Sequence, residues 1–308
     1  MKKHIPSLIK QTLIICLTII FWSNHIQAKH APKFAPKLTA LMVKDLDKSI
    51  IWYQQKLGFK IDQPKQAFPS YQMKIAVLKH NGFRLELIEK KGAINIKNLK
   101  LASNHYLGGF LKLGFMVDNL KGLYHKLKKQ RDVDFITGVG TLPKVNFGLK
   151  WPTQFLLIRD IDGNMLQFFS YNLPNRSSLK LTPWLAGITV KDLNTAKEWY
   201  QTKLGFTFYN TIGKKGNRRA ILAKSNFVIE LFEPAQVIFA HDLKGKKEVQ
   251  GIKKIAFGVD NFSDYLQKFR QEQVKFFYGP VKSKSTWNKQ SMIIKDVENN
   301  LVQYFELL

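Results

Sequence analysis

The run Val43-Lys44-Asp45-Leu46, Trp52-Tyr53-Gln54, Lys56-Leu57-Gly58-Phe59 returns 147 residues later as Val190-Lys191-Asp192-Leu193, Trp199-Tyr200-Gln201, Lys203-Leu204-Gly205-Phe206. Of the 20 aligned positions from 40 to 59, 11 are identical. The chain is therefore a duplication, and any fold assigned to one half must serve the other. The halves run over residues 37–172 and 181–308. Residues 173–180 separate them and open with Leu173-Pro174-Asn175-Arg176-Ser177-Ser178, which has linker composition.

Each half holds a second, weaker copy of the same plan. Leu113-Gly114-Phe115-Met116-Val117-Asp118 and Ile255-Ala256-Phe257-Gly258-Val259-Asp260 repeat the short apolar strand that ends at Asp45 and at Asp192. An Asp after a strand supplies an acceptor for the free N–H groups of a helix start. Leu46, Ile50, Tyr53 and Leu57 then follow at helical spacing, with Gly58 as a stop signal. Leu120, Leu123 and Leu127 repeat that stripe, as do Phe262, Leu266 and Phe269. Period-two alternation comes next, with Phe83, Leu85 and Leu87 against Arg84, Glu86 and Ile88, and Phe227, Ile229 and Leu231 against Val228, Glu230 and Phe232. Four strand–helix–three-strand modules are predicted, each with one sheet face on its helix and the other lining a concavity.

The first 28 residues stand apart. Lys2, Lys3 and Lys10 precede an apolar run from Leu13 to Trp22, and Gln27-Ala28 follows as a cleavage edge, the layout of a secretory signal peptide. About ten apolar residues fall short of the roughly 20 that a membrane span needs. The mature chain is expected to be exported, periplasmic or secreted, with no stable membrane insertion. Cys16 lies in this segment, so the mature chain has no thiol. The formal net charge is +27, and +24 without the first 28 residues, which carry three Lys and no acid. That charge favours anionic envelope polymers as a partner and, with no accompanying motif, gives no case for nucleic acid. Basic clusters at Lys126, Lys128, Lys129 and Arg131, and at Lys214, Lys215, Arg218 and Arg219, are read as solvated faces.

With a strand ending in Asp-Leu, an aromatic-Tyr pair on the helix and Leu-Gly-Phe at its end, both halves resemble the vicinal oxygen chelate superfamily of glyoxalase I, the extradiol dioxygenases and the bleomycin-resistance proteins. Asp160-Ile161-Asp162-Gly163-Asn164 is similar to the family's turn before its last strand, with a degenerate copy at Asp296-Val297-Glu298-Asn299-Asn300. The resemblance implies an α+β fold of two tandem domains, each with two βαβββ modules curling a mostly antiparallel sheet around a cup. It also implies a divalent metal in the cup, held by His or Gln on a module's first strand and Glu on its last.

Mapped onto this sequence, those positions are Leu38, Glu86, Lys112 and Gln167 in the first half and Leu185, Glu230, Lys254 and Gln303 in the second. Leu has no lone pair and a Lys ammonium only donates, so no metal or other cofactor is expected. Within each half, Lys112 is expected to face Glu86, and Lys254 to face Glu230. With Trp151 and Trp287 at the rim, these polar residues are the candidate ligand-binding set. Trp52 and Trp199, beside core tyrosines on the first helices, are read as structural. The function expected is binding of a small anionic or aromatic molecule in one or both cups. A metal-dependent lyase or dioxygenase with rearranged ligands, and a basic envelope-docking module with inert cups, stand as alternatives. Catalysis without metal would fall to Lys112 or Lys254 as base, or to Glu86 or Glu230 as acid.

Overall fold

The computed structural model describes residues 34–99, 101, 105–130, 132–142, 151–171, 179–243, 248–282 and 288–307. The signal segment, most of the linker and Trp287 lie outside the described residues. Module 1 is β1 (Phe34–Val43), α1 (Leu46–Leu57), β2 (Lys60–Phe68), β3 (Met73–His80) and β4 (Phe83–Lys90). A connector with β5 (His105–Leu107) leads to module 2, which holds β6 (Gly109–Val117), α2 (Leu120–Lys128), β7 (Asp134–Phe135), β8 (Gly140–Thr141), β9 (Gln154–Arg159) and β10 (Met165–Ser170). Module 3 has β11 (Leu181–Thr189), α3 (Leu193–Thr202), β12 (Thr207–Ile212), β13 (Asn217–Lys224) and β14 (Phe227–Pro234). After β15 (Gln236–Ile238), module 4 follows as β16 (Gly251–Val259), α4 (Phe262–Gln271), β17 (Phe276–Lys282), β18 (Asn288–Lys295) and β19 (Leu301–Leu307).

The α+β class and the module plan are as the sequence predicts, but the partnership of modules is crossed. One eight-stranded sheet has the order β17-β18-β19-β16-β1-β4-β3-β2, and the other, of nine strands, follows β12-β13-β14-β11-β6-β10-β9-β7 with β8 beside β9. Module 1 thus shares its sheet with module 4, and module 2 with module 3. The seams are antiparallel, β1 on β16 and β11 on β6. Link lengths give the physical reason: 10 residues (171–180) join modules 2 and 3, against 18 (91–108) between modules 1 and 2 and 16 (235–250) between modules 3 and 4. Short connections join neighbours in a sheet, whereas the long ones can cross from one sheet to the other. The parallel pair β5–β15 ties the two long connectors together.

Each repeat is held together by its helices and a buried turn. The α1 start is fixed by Asp45, whose side chain accepts from the Lys48 N–H at 3.1 Å, and by Glu89 on β4, which accepts from the Leu46 N–H at 2.9 Å. Gly58, at φ 73°, closes the helix in the left-handed region that favours glycine. The Tyr53 hydroxyl then donates to Asp160 at 2.7 Å, crossing from α1 to the β9–β10 turn of module 2. Asp160 also accepts from the Asp162 and Asn164 N–H groups and from the Asn164 amide, at 3.0, 2.8 and 2.8 Å. Tyr200 and Asp296 repeat this between modules 3 and 4, again at 2.7 Å. A core that includes Tyr53, Tyr200, Phe168 and Tyr304 runs through all four modules.

Burial pushes the Asp160 carboxyl from its ordinary 3.8 up to about 6, against the opposing pull of its bonds from Asn164 and Tyr53. Because the folded value is raised, this group's contribution to stability is complete below about pH 4 and is lost as the pH rises through about 6. Urea unfolding should therefore show a fall in stability between pH 4 and 6, relative to Asp160→Asn, that the variant lacks. Tyr53→Phe should cost about 2 kcal/mol, the worth of a buried hydrogen bond to a charged group.

Candidate functional site

Alternation along each strand sets the two faces. Leu166 and Phe168 enter the main core, so Gln167 and Phe169 turn to the opposite face, where Phe169 packs with Trp184, Leu185, Ile221, Ala223 and Val228. In the other sheet Leu38, Ala256 and Phe305 form the matching cluster. These are the floors of two cups, each built from one module of either repeat.

In the cup of modules 2 and 3, Glu230, Gly187 and Lys112 lie in one row across β14, β11 and β6. Lys112 reaches over Gly187 and its Nζ meets Glu230 Oε2 at 2.9 Å. A Cβ on Gly187 would lie 2.6 Å from Lys112 Cγ, so the lysine stem lies directly against the strand there. In the cup of modules 1 and 4 the corresponding row is Glu86, Ala40 and Lys254 across β4, β1 and β16, with Lys254 Nζ 3.1 Å from Glu86 Oε2. The expected pairs Lys112–Glu86 and Lys254–Glu230 are thus corrected to Lys112–Glu230 and Lys254–Glu86. The cause is the crossed sheet seam, and since both repeats carry the same residue types, each cup keeps its Leu, Glu, Lys and Gln.

One row further on stand the remaining mapped residues. Val228, Leu185, Gly114 and Gln167 align across β14, β11, β6 and β10, as Arg84, Leu38, Ala256 and Gln303 do in the other cup. A Cβ on Gly114 would lie 2.8 Å from Leu185 Cβ and 2.9 Å from Phe169 Cε2, so these two side chains cover the floor beside Gln167. Gln167 and Gln303 are 8% and 7% exposed, and the amide oxygen of each is buried with no hydrogen-bond partner among the described residues. A buried carbonyl oxygen left without a donor is costly, and it marks where a donor is wanted.

The cups differ in their outer charges. Arg219 Nε stands 3.2 Å from Glu230 Oε1, so this carboxylate lies between two cations, and the Arg219 guanidinium sits 4.4 Å from the Phe232 ring centre. Arg218 pairs with Glu233 at 2.7 Å. Both arginines belong to a cluster that the sequence presents as a solvated face. Arg219, two residues before the floor residue Ile221, lies on the cup face, whereas Arg218, opposite Glu233, lies on the other; this is visible only once the hairpin register is known. Around the other cup, Asp62 pairs with Arg84 and Lys79, both at 2.8 Å. Trp151 lies against Trp184 at 5.2 Å between ring centres, and Trp184, which the sequence did not single out, also packs edge-on to Phe169 at 4.7 Å.

The sequence pattern of the Glyoxalase/Bleomycin resistance protein/Dioxygenase superfamily matches residues 35–168 and 183–304, and the chain belongs to that superfamily. Its fold is similar to glyoxalase I from Zea mays, at 17% identity and a TM-score of 0.62 over 92% of this chain and 94% of that one. It is also similar to a putative dioxygenase from Bacillus subtilis subsp. subtilis str. 168, at 11% identity and a TM-score of 0.61 over 88% and 84%. No curated protein matches the chain.

The superfamily implies a divalent metal in such a cup, and the residues at those positions do not fit one. Leu38 and Leu185 offer no lone pair, and each Lys brings a positive charge within 3.1 Å of the carboxylate a metal would need. No group of three or more His, Cys, Asp or Glu side chains placed to hold a metal ion exists among the described residues.

The third charge makes the two pairs unequal. Lys254→Met leaves Glu86, whose side chain is 19% exposed, without its ion-pair partner and should cost about 3 kcal/mol. Lys112→Met leaves Glu230 still held by Arg219 and should cost about half as much. Chemical denaturation of the two variants checks the order.

Proposed function

We propose that the chain is an exported, metal-independent binding protein that holds a small anionic molecule in the cup of modules 2 and 3. One observation carries this reading: Lys112, Glu230 and Arg219 form a cluster with one excess positive charge, and a row away the buried Gln167 oxygen has no donor among the described residues. An anion that also carries a hydroxyl or N–H group answers both demands, its charge meeting Arg219 and its donor meeting Gln167. Trp151, Trp184 and Phe169 on the same floor supply an apolar wall for the rest of the molecule.

Thermal shift with a panel of hydroxy- and amino-carboxylates, in chelator, tests the reading. A compound at about 100 times its Kd should add roughly 2.7 kcal/mol, a rise of several degrees for a chain of this size. Arg219→Ala and Gln167→Leu should each remove most of that rise. Failure of every compound, a rise that survives both changes, or a rise that needs Mn, Fe, Ni or Zn would overturn it.

A further inference from the structure

A larger cavity lies away from both ion pairs. It opens where the repeats meet, at the first residues of β1 and β11 and at the β3–β4 and β13–β14 turns, and has a volume of about 530 Å³. Small-molecule sites commonly fall between about 300 and 1,000 Å³ and favour such junctions.

The duplication makes this cavity informative. Its walls include equivalent positions of the two repeats, residues 35–37 and 182–184 and the two hairpin turns, where identical repeats would present the same side chains. Instead Lys37 in the first repeat stands where Trp184 stands in the second, 147 residues on. Both line the cavity, and among the described residues that line it Lys37 is the one that is charged. Trp184 is fixed by edge-on contacts with Phe169 and Trp151, so its ring is already positioned. Asn81 and Asn226, one from each turn, add to a polar lining that also includes Thr182, Ser225 and Tyr171.

We propose that this junction cavity is a second small-molecule site, taking a planar organic monoanion whose ring lies against Trp184 and whose charge is met by Lys37. An aromatic wall contributes burial and stacking without fixing ring identity, and a lone cation in a wall without acids selects one negative charge. The site shares Trp184, Ala223 and Val228 with the floor of the neighbouring cup, but none of Lys112, Glu230, Arg219 and Gln167 lines it, so its charge is met by a different residue.

The probe is 2-naphthoate, which combines a fused ring with one carboxylate. Calorimetry and tryptophan fluorescence on the full mature chain should show saturable binding of one molecule. Lys37→Glu and Thr182→Trp, the latter narrowing the mouth from an exposed lining position, should each weaken it tenfold or more. Lys121→Glu makes the same change in net charge on an exposed position of α2 and should leave binding within twofold. No binding to the parent chain, binding unchanged in both cavity variants, or an equal loss in Lys121→Glu would overturn the site. A loss in Arg219→Ala as large as that in Lys37→Glu would assign the molecule to the cup instead and also overturn it. Because the cup is read out by different residues, either proposal can fail while the other stands.

Discussion

The antiparallel seams between β1 and β16 and between β6 and β11 govern the rest of this molecule. Each seam joins strands from different repeats, so neither repeat can complete a cup alone. The buried turns work in the other direction: Tyr53 reaches Asp160 and Tyr200 reaches Asp296 within their own repeats. Sheet pairing therefore ties the repeats to each other while the helix-to-turn bonds tie the modules of each repeat. Loosening either set disturbs both cups, because a Lys and its Glu partner are always contributed by different repeats.

The part of this that could be read from the sequence follows from what repetition does and does not encode. The strand–helix–three-strand plan was legible because Leu46, Ile50, Tyr53 and Leu57 sit at helical spacing and Phe83, Leu85 and Leu87 at strand spacing. The composition of each cup was legible too, since Leu, Glu, Lys and Gln recur in both halves. Which Lys meets which Glu was not legible from those residues, for the same reason: swapping Lys112 for Lys254 changes no residue type. Only the 10-residue link between β10 and β11, shorter than either connector within a repeat, carries that information. Arg219 and Trp184 were missed because each becomes a cup residue through a cross-strand register, Arg219 opposite Phe232 and Trp184 beside the irregular step between Pro183 and Leu185.

The cups place an ammonium group where the superfamily implies a divalent ion. A metal offers several open directions to a ligand and draws in two or three anionic donors. A lysine delivers one charge at the end of a four-carbon stem, which crosses a small residue of the neighbouring strand, Gly187 in one cup and Ala40 in the other. Each glutamate meets its ammonium, while the amide oxygens of Gln167 and Gln303 have no hydrogen-bond partner among the described residues.

Duplication sets equal starting points, and the differences between the cups show where the chain has been specialised. Both floors have a Lys–Glu pair and a glutamine, but Arg219 adds a second cation beside Glu230, whereas the arginine by the other cup, Arg84, is paired to Asp62. The aromatic residues follow the same bias, since Trp184, Trp151 and Phe169 gather on the floor of modules 2 and 3 while Leu38, Ala256 and Phe305 form the small cluster on the other. Excess charge and polarisable ring surface thus fall on the same side of the pseudo-twofold axis. A core needs neither of these at a concave surface, and an anion with an organic body needs both. In the cup of modules 1 and 4 Lys254 meets Glu86 and Arg84 meets Asp62, and the floor cluster holds one aromatic ring, Phe305, beside Leu38 and Ala256.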